Sequence, residues 1–151
     1  GTWEPVRSGG LTLQARQEVI QSVRHWARGV LFWNLALHEN RGPQKGGCDT
    51  CRGVVTIDSR SGAITRNDEY YALGHASRFV RQGARRIAST ETQQDVDNVA
   101  FRNEDDGSLV LVVTNSAQQP RSISVSQGKH GFNYTLPARS LATFVWAEGS
   151  P

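Results

Sequence analysis

The first regular pattern along the chain is helical. Five apolar positions recur at the spacing that places them on one face of an α-helix. They are Val19, Ile20, Val23, Trp26 and Ala27. Thr12 can cap such a helix and Gly29 can end it, so we predict a helix over residues 13–28.

The most apolar stretch of the chain follows directly. Seven of the eight residues from Val30 to Leu37 are apolar or aromatic, and only Asn34 is polar. This pattern is typical of a strand buried on both faces in a parallel sheet, where Asn34 would need partners for its amide. Ligands of barrel and doubly wound α/β folds bind where a strand ends and its loop begins. We therefore expect any functional site beside this strand.

A long loop, residues 39–53, comes next and contains the only two cysteines, Cys48 and Cys51. Two cysteines three residues apart are half of a zinc site, but no second Cys or His pair follows at a suitable spacing. A thioredoxin-like motif would open a helix, whereas the residues after Cys51 have the pattern of a strand. We favour a small structural disulfide, with free thiols and a metal or redox role left as alternatives. A disulfide would favour an oxidising compartment.

The residues after this loop predict a short strand and a second helix. The strand covers residues 54–58, residues 59–62 form a turn, and Asn67 or Asp68 caps a helix over residues 69–80 that Gly83 stops. The positions expected to be buried on this helix are Tyr71, Leu73, Ala76, Phe79 and Val80. His75 lies on the same helix, and we interpret it as a packed, hydrogen-bonded histidine rather than a catalytic one.

From residue 84 onward the pattern changes to short β segments separated by turn residues. The predicted strands cover residues 84–90, 96–102, 109–114, 122–126, 132–136 and 141–146. Strict alternation over Ser122 to Ser126 and over Phe132 to Leu136 gives each of these two strands one wet and one dry face. This spacing is typical of an antiparallel β-sandwich. The chain is thus predicted to divide into residues 1–80 and a sandwich of residues 81–151.

Composition adds limits rather than a function. The chain has 151 residues and a net charge of +3, with 17 Lys and Arg against 14 Asp and Glu. No apolar run approaches the roughly 20 residues needed to cross a bilayer, and no signal peptide is recognisable. The densest basic group, Arg78, Arg81, Arg85 and Arg86, lies at a helix end and in the linker after it, and no basic motif with interleaved aromatic residues is present, so nucleic-acid binding is not expected. We expect no cofactor and no metal.

Several blocks together resemble the C-terminal portion of glycoside hydrolase family 30, whose best-known members are the glucosylceramidases. The blocks are Trp33 to Leu37, Gly42-Pro43, Gly46 to Cys48, Tyr70 to Val80, Tyr134 to Pro137 and Ala142 to Trp146. They occur in the family's order and cover nearly the whole chain from Leu11 to Trp146.

The resemblance implies an α+β chain made of the last β/α elements of a (β/α)8 barrel followed by an antiparallel β-sandwich. On that alignment, Val30 to Leu37 is strand eight and residues 69–80 are the last barrel helix. The family's enzymes are retaining glycosidases with two catalytic glutamates, at the ends of strands four and seven. Both would precede Gly1, so the chain resembles the enzyme without its catalytic residues, and we expect it to be inactive alone.

The resemblance also implies a substrate-binding role for one part of the chain. Trp33 would form a wall of the sugar pocket, bordered by Asn34 and by the backbone of Gly47, Cys48 and Asp49; core packing is the alternative for Trp33. Retaining hydrolysis needs two carboxyl groups about 5 Å apart, and Glu39, Asp49 and Asp58 show no such pairing. Glu39 is interpreted as a solvated loop residue or a ligand of a sugar hydroxyl.

A barrel of this kind takes about 250 residues, so the chain cannot close one. We therefore expect the barrel elements to bind the missing N-terminal portion, to self-associate through residues 30–37, or to pack on the sandwich. The alternative function is a non-catalytic β-sandwich module that binds carbohydrate or a protein partner. We expect a secreted or extracytoplasmic bacterial protein. Glucosylceramide, β-glucosides, β-xylosides and β-1,6-glucans remain open as substrates.

Overall fold

The computed structural model describes residues 10–90 and 93–148. The first helix has three parts: α1 (Gly10–Gln14), a π-helical stretch (Ala15–Gln21) and α2 (Ser22–Arg24). One further helix follows, α3 (Asp68–Ser77). The strands are β1 (Ala36–His38), β2 (Val55–Ile57), β3 (Ile64–Arg66), β4 (Arg85–Ile87), β5 (Val96–Arg102), β6 (Leu109–Asn115), β7 (Arg121–Gln127), β8 (His130–Leu136) and β9 (Ser140–Trp146).

These strands form three sheets. A small sheet has the order β1-β2-β3, with β1 and β2 parallel and β2 and β3 antiparallel. A four-stranded antiparallel sheet has the order β4-β5-β6-β9, and β7 and β8 form a separate antiparallel hairpin. The architecture is therefore α+β with mostly antiparallel sheets, as predicted.

The four-stranded sheet is the centre of the molecule and is covered on both faces. Every residue of β6 is buried, because the strand lies between β5 and β9 within the sheet and between other layers above and below. One face packs against the helices through Ile20, Val99, Phe101, Val110 and Val112. The other face packs against the hairpin through Val96, Ala100, Leu111, Val113 and Leu136. Full burial of one such apolar side chain stabilises the fold by about 1.5–3 kcal/mol.

The first helix is fastened to this sheet by polar contacts as well. The buried carboxylate of Asp97 on β5 is 2.9 Å from Arg16 Nε and accepts a hydrogen bond from Gln21 Nε2 at 2.8 Å. Two residues five apart diverge on an α-helix, but they lie close together where the repeat widens to a π-helix. The π-helical stretch thus brings both donors to one carboxylate.

The predicted strand over residues 30–37 is wrong. Only Ala36–His38 is a strand, and Leu31 and Leu35 are 97% and 75% exposed. Asn34 has a φ of 65°, a left-handed conformation that an extended strand cannot contain. Only β2 pairs with this segment among the described residues, so residues 30–35 have no neighbouring strand to bury them.

The predicted helix ends also need correction. Thr12 is buried inside α1 rather than capping it, and the first helix ends at Arg24, well before Gly29. Trp26 takes the left-handed position, with a φ of 73°, while Ala27 and Trp26 donate to the carbonyls of Ser22 and Val23. These two bonds form a Schellman motif, in which glycine usually occupies the position that Trp26 holds here.

The second predicted helix exists but is shorter and differently oriented. It spans Asp68–Ser77, and its most buried residues are Glu69 and Ala72, whereas Tyr71 is 48% exposed. Phe79 and Val80 pack against the sheet from the segment after the helix. Strand β3 was not predicted. Within the described ranges, none of the helices has the length and apolar character needed to cross a membrane.

Candidate functional site

The candidate site begins with an exposed tryptophan beside a left-handed asparagine. Trp33 is 62% exposed, and Asn34 is half-buried. The carbonyl of Asn34 accepts a hydrogen bond from the amide of Val54 at 3.1 Å, and that of Leu35 accepts one from Val55 at 3.0 Å. The turn that carries Trp33 is thereby fixed to the residues that follow the cysteine loop.

The loop of residues 39–53 is held at both of its ends. At its start, the amide of His38 donates to the carbonyl of Gly42 at 2.8 Å, and a side chain at Gly42 would overlap the His38 imidazole. At its end, a Cβ on Gly53 would lie 2.9 Å from the amide nitrogen of Leu37. Glycine is needed at position 53 because the backbone of neighbouring residues leaves no room for a side chain, whereas at position 42 the contact is with the end of a side chain that can shift.

The middle of the loop is closed by the Cys48–Cys51 disulfide, with the two Cα atoms 5.4 Å apart. This is the alternative that the sequence favoured for the pair. Cys51 is buried, Cys48 is half-buried, and Gly47 and Asp49 are exposed. The structure brings Asn34 next to the end of this loop. Within the described ranges, no hydrogen bond joins Trp33 or Asn34 to Gly47, Cys48 or Asp49.

An ion-pair cluster that the sequence did not predict anchors the end of the loop to α3. Arg52 Nε donates to Glu69 Oε1 at 3.0 Å, and Arg52 Nη2 donates to Asp68 Oδ2 at 3.3 Å. Glu69 is only 1% exposed. A charged residue in the first turn of a helix is usually solvated, so no pattern in the sequence marks Glu69 as buried.

Asn67 has a role that differs from the one its position predicts. It is the N-cap residue of α3, but its side chain makes no capping hydrogen bond. Its Nδ2 instead donates to the carbonyl of Gly53 at 2.9 Å and to Thr56 Oγ1 at 3.0 Å. The amide therefore ties the beginning of the helix to the end of the cysteine loop.

The acidic residues near this site are held by serines rather than by one another. Glu39 accepts hydrogen bonds from Ser59 Oγ at 2.6 Å and from the Ser59 amide at 2.9 Å, which lower the pKa of its carboxyl. Asp58 Oδ1 accepts bonds from Ser61 Oγ and the Ser61 amide, both at 2.7 Å, which lower its pKa as well. Both groups are ionised at neutral pH and cannot act as general acids there.

His75 is a packed residue between α3 and the central sheet, as the sequence predicted. Thr143 Oγ1 donates its proton to the His75 carbonyl at 3.0 Å, so the ring Nδ1, 2.9 Å from the same hydroxyl, carries the proton of their second hydrogen bond. Burial lowers the pKa of His75.

A separate groove of about 890 Å³ lies between the end of the first helix, α3 and residues 81–86. Its lining includes Val23, Trp26, Leu73 and Phe101 together with Arg86, whose guanidinium lies 4.0 Å from the centre of the Trp26 ring. Trp33 and the cysteine loop do not line it. Across residues 10–90 and 93–148, no three His, Cys, Asp or Glu side chains are grouped to hold a metal ion.

Comparison with known proteins identifies the family. Residues 83–144 match the model of the glycosyl hydrolase family 30 beta sandwich domain. An endo-1,6-beta-D-glucanase of Trichoderma harzianum is 32% identical over 152 residues, covering 95% of this chain and 30% of that enzyme. This chain belongs to glycoside hydrolase family 30.

Different relatives of this family 30 chain are named for different activities. The lysosomal acid glucosylceramidase of Mus musculus is 29% identical over 138 residues, covering 89% of this chain and 26% of that enzyme. The solved structure of the endo-beta1,6-glucanase BT3312 is 34% identical with a TM-score of 0.82, covering 97% of this chain and 34% of that one. The chain thus spans about a third or less of the length of these relatives.

The comparisons confirm the family and the β-sandwich that the sequence predicted. The match to the sandwich model begins at residue 83. The division into residues 1–80 and 81–151 and the roles of Trp33, Asn34, Gly47, Cys48 and Asp49 in sugar binding stay predictions.

Proposed function

We propose that this family 30 chain supplies one wall of the sugar pocket and the β-sandwich of a retaining β-glycosidase, without either catalytic carboxylate. The observation that carries the proposal is the exposed Trp33 beside Asn34, at a turn fixed to the end of the disulfide loop. An aromatic face packs against the C–H bonds of a sugar ring, and an amide can hydrogen-bond its hydroxyls.

The carboxylates of the described residues support the second half of the proposal. A retaining glycosidase needs two carboxyl groups about 5–5.5 Å apart, one with the raised pKa of a general acid. Acidic residues converge at two arginines: Asp68 and Glu69 at Arg52, and Asp105 and Asp106 at Arg81. The first pair is neutralised beneath a guanidinium with Glu69 buried, and the second lies on an exposed turn where Ser108 and Arg81 lower the pKa of Asp106.

We further propose that the substrate of the parent enzyme is a β-1,6-linked glucan. The endo-1,6-beta-glucanase of Trichoderma harzianum supports this proposal, because it is 32% identical over 95% of this chain. The endo-beta1,6-glucanase BT3312 supports it too, at 34% identity over 97% of the chain. The mouse glucosylceramidase is 29% identical over 89% of the chain. Glucosylceramide is therefore the second candidate.

The compartment proposed for this protein is an oxidising, extracytoplasmic one. The Cys48–Cys51 disulfide supports it, because disulfides persist mainly where thiols are not kept reduced.

The exposed apolar residues Leu31 and Leu35 support a binding partner, either the N-terminal portion of such an enzyme or a second copy of the chain.

The proposal is tested by assaying the chain alone against an aryl β-glucoside and a β-1,6-glucan. We expect product release at the rate of the buffer blank. Turnover above that rate that disappears in Glu39→Gln or Glu69→Gln would contradict the proposal, because a described carboxylate would then be catalytic. Turnover unaffected by both changes would be attributed to a contaminant and checked with a repurified sample.

A further inference from the structure

We propose that Arg52 is a positioning residue: its ion pairs with Asp68 and Glu69 hold the end of the disulfide loop on α3 and so fix where Gly47, Cys48 and Asp49 lie. The inference rests on the proposed function, since it concerns the loop that would border the sugar pocket. The coupling between Arg52 and the loop is nevertheless measurable without any sugar.

The geometry of Arg52 fits an anchor better than a surface ion pair. Its side chain is 25% exposed, and two different nitrogens reach two different carboxylates, Glu69 at 3.0 Å and Asp68 at 3.3 Å. A planar guanidinium can do this, whereas the point charge of a lysine cannot serve both directions equally well.

Glu69 makes this anchor necessary. Its side chain is buried, and its second oxygen, Oε2, has no hydrogen bond within the part of the chain that the structure describes. A buried carboxylate without its cation is strongly unfavourable, so the burial of Glu69 requires Arg52 to remain in place. The requirement holds the backbone at Arg52 against the start of α3.

Neighbouring contacts fix the same stretch of backbone. The side-chain Nδ2 of Asn67 donates to the carbonyl of Gly53, and the backbone amide of Asn67 donates to the carbonyl of Val54 at 3.1 Å. The exposed residues 43–47 lie at the other end of the disulfide, which links Cys48 to the residue directly before Arg52. The ion pairs of Arg52 with α3 thus restrain Cys51, and the disulfide restrains Cys48 in turn.

This arrangement makes the anchor and the disulfide stabilise each other. Holding Cys51 in place raises the effective concentration of the Cys48 sulfur beside it, which favours the oxidised pair. By linkage, closing the disulfide favours the anchored position of Arg52 to the same extent. Loss of the anchor should therefore make the disulfide easier to reduce.

The experiment equilibrates the folded chain with dithiothreitol and measures the oxidised fraction of Cys48–Cys51. One disulfide bond of the protein breaks to give two thiols, while the two thiols of dithiothreitol lose two electrons and two protons to form its cyclic disulfide. Arg52→Lys keeps the positive charge and removes the planar guanidinium that reaches both carboxylates. Arg81→Lys is the matched control, because Arg81 binds Asp105 and Asp106 on the turn after β5.

We expect Arg52→Lys to raise the equilibrium constant for reduction roughly five- to tenfold, and Arg81→Lys to leave it unchanged. Hydrogen exchange of residues 44–50 should become faster in Arg52→Lys while exchange in β5 and β6 stays at the wild-type rate. A purely structural contribution of Arg52 would accelerate exchange in those core strands instead and leave the disulfide equilibrium at its wild-type value.

A folded Arg52→Lys variant with a wild-type disulfide equilibrium would overturn the proposal. If that variant does not fold, Asp68→Asn decides, because Asp68 is 42% exposed and its loss removes only the outer ion pair. A shift toward easier reduction in Asp68→Asn supports the anchor, and no shift overturns it. Failure of the sugar-pocket proposal would leave all of these results unchanged.

Discussion

The charged residues around the candidate site each depend on a specific neighbour. The hydroxyl of Ser59 donates to Glu39, and the hydroxyl of Ser61 donates to Asp58, although the two serines are only two residues apart. The hydroxyl bond is the largest cause of the lowered pKa in each case. Because the two acids have different hydroxyl donors, the largest cause of each lowered pKa can be removed separately, although the charge of Asp58 also raises the pKa of Glu39.

We predict that Ser59→Ala raises the pKa of Glu39 toward its ordinary value and changes that of Asp58 much less. Ser61→Ala should do the reverse. The backbone hydrogen bonds from both residues remain, so each change should be partial. Carboxyl carbon shifts followed by NMR across a pH titration give both values, and an Asp58 shift as large as that of Glu39 in Ser59→Ala would disagree with these contacts.

Residue patterns predicted the cysteine bridge but not the left-handed conformations of Asn34 and Trp26. Asn34 and Trp26 have φ values of 65° and 73° and interrupt the elements expected to run through or past them. Asn accepts this conformation more easily than most residues, which makes Asn34 recognisable in hindsight. A bulky aromatic rarely takes it, so nothing in the sequence marks Trp26 as the end of a helix.

At the scale of elements, α3 is linked to β9 by a titratable contact. The hydroxyl of Thr143 donates to the backbone carbonyl of His75 and lies within hydrogen-bond distance of its ring Nδ1, and burial lowers the pKa of the imidazole. The unfolded chain therefore binds the proton more readily than the folded chain. Stability from this residue is present above the ordinary histidine pKa of about 6.5 and is lost as the pH falls.

We predict that His75→Asn weakens this loss at low pH. The Nδ2 of asparagine can replace the Nδ1–H donor to Thr143, so stability at pH 8 should stay within about 1 kcal/mol of wild type. Urea unfolding between pH 5 and 8 measures the effect, with His130→Asn on the exposed hairpin as control. An unchanged pH dependence in His75→Asn would show that His75 does not contribute to it.

The strands of the sandwich could be predicted well, and the elements before them less well. Each of β5 to β9 lies within a residue or two of its predicted range, because alternation and turn residues mark antiparallel strands locally. The hairpin strand β8 is more exposed than expected, although Phe132 still contacts Phe144 and Trp146. The predicted strand over residues 30–37 was wrong because the burial of a parallel strand depends on neighbours far away in the sequence, which a local pattern does not contain.

At the scale of the whole molecule, stability and the proposed function lie in different regions. The four-stranded sheet is covered on both faces, whereas Leu31, Trp33 and Leu35 are all more than half exposed. Exposed apolar side chains this close together favour binding to another surface. The core therefore supports a segment whose side chains are available to complete a larger site.

The most direct test replaces the matching third of the endo-beta1,6-glucanase BT3312 with this chain and measures kcat/KM on a β-1,6-glucan. The account predicts an active chimera in which Trp33→Ala lowers kcat/KM roughly ten- to a hundredfold, equivalent to about 1.4–2.8 kcal/mol of lost transition-state binding. Tyr134→Ala, on the β7–β8 hairpin, should stay within about threefold of the parent chimera. A folded, active chimera whose kcat/KM is unchanged by Trp33→Ala would contradict a role for this chain in the sugar pocket.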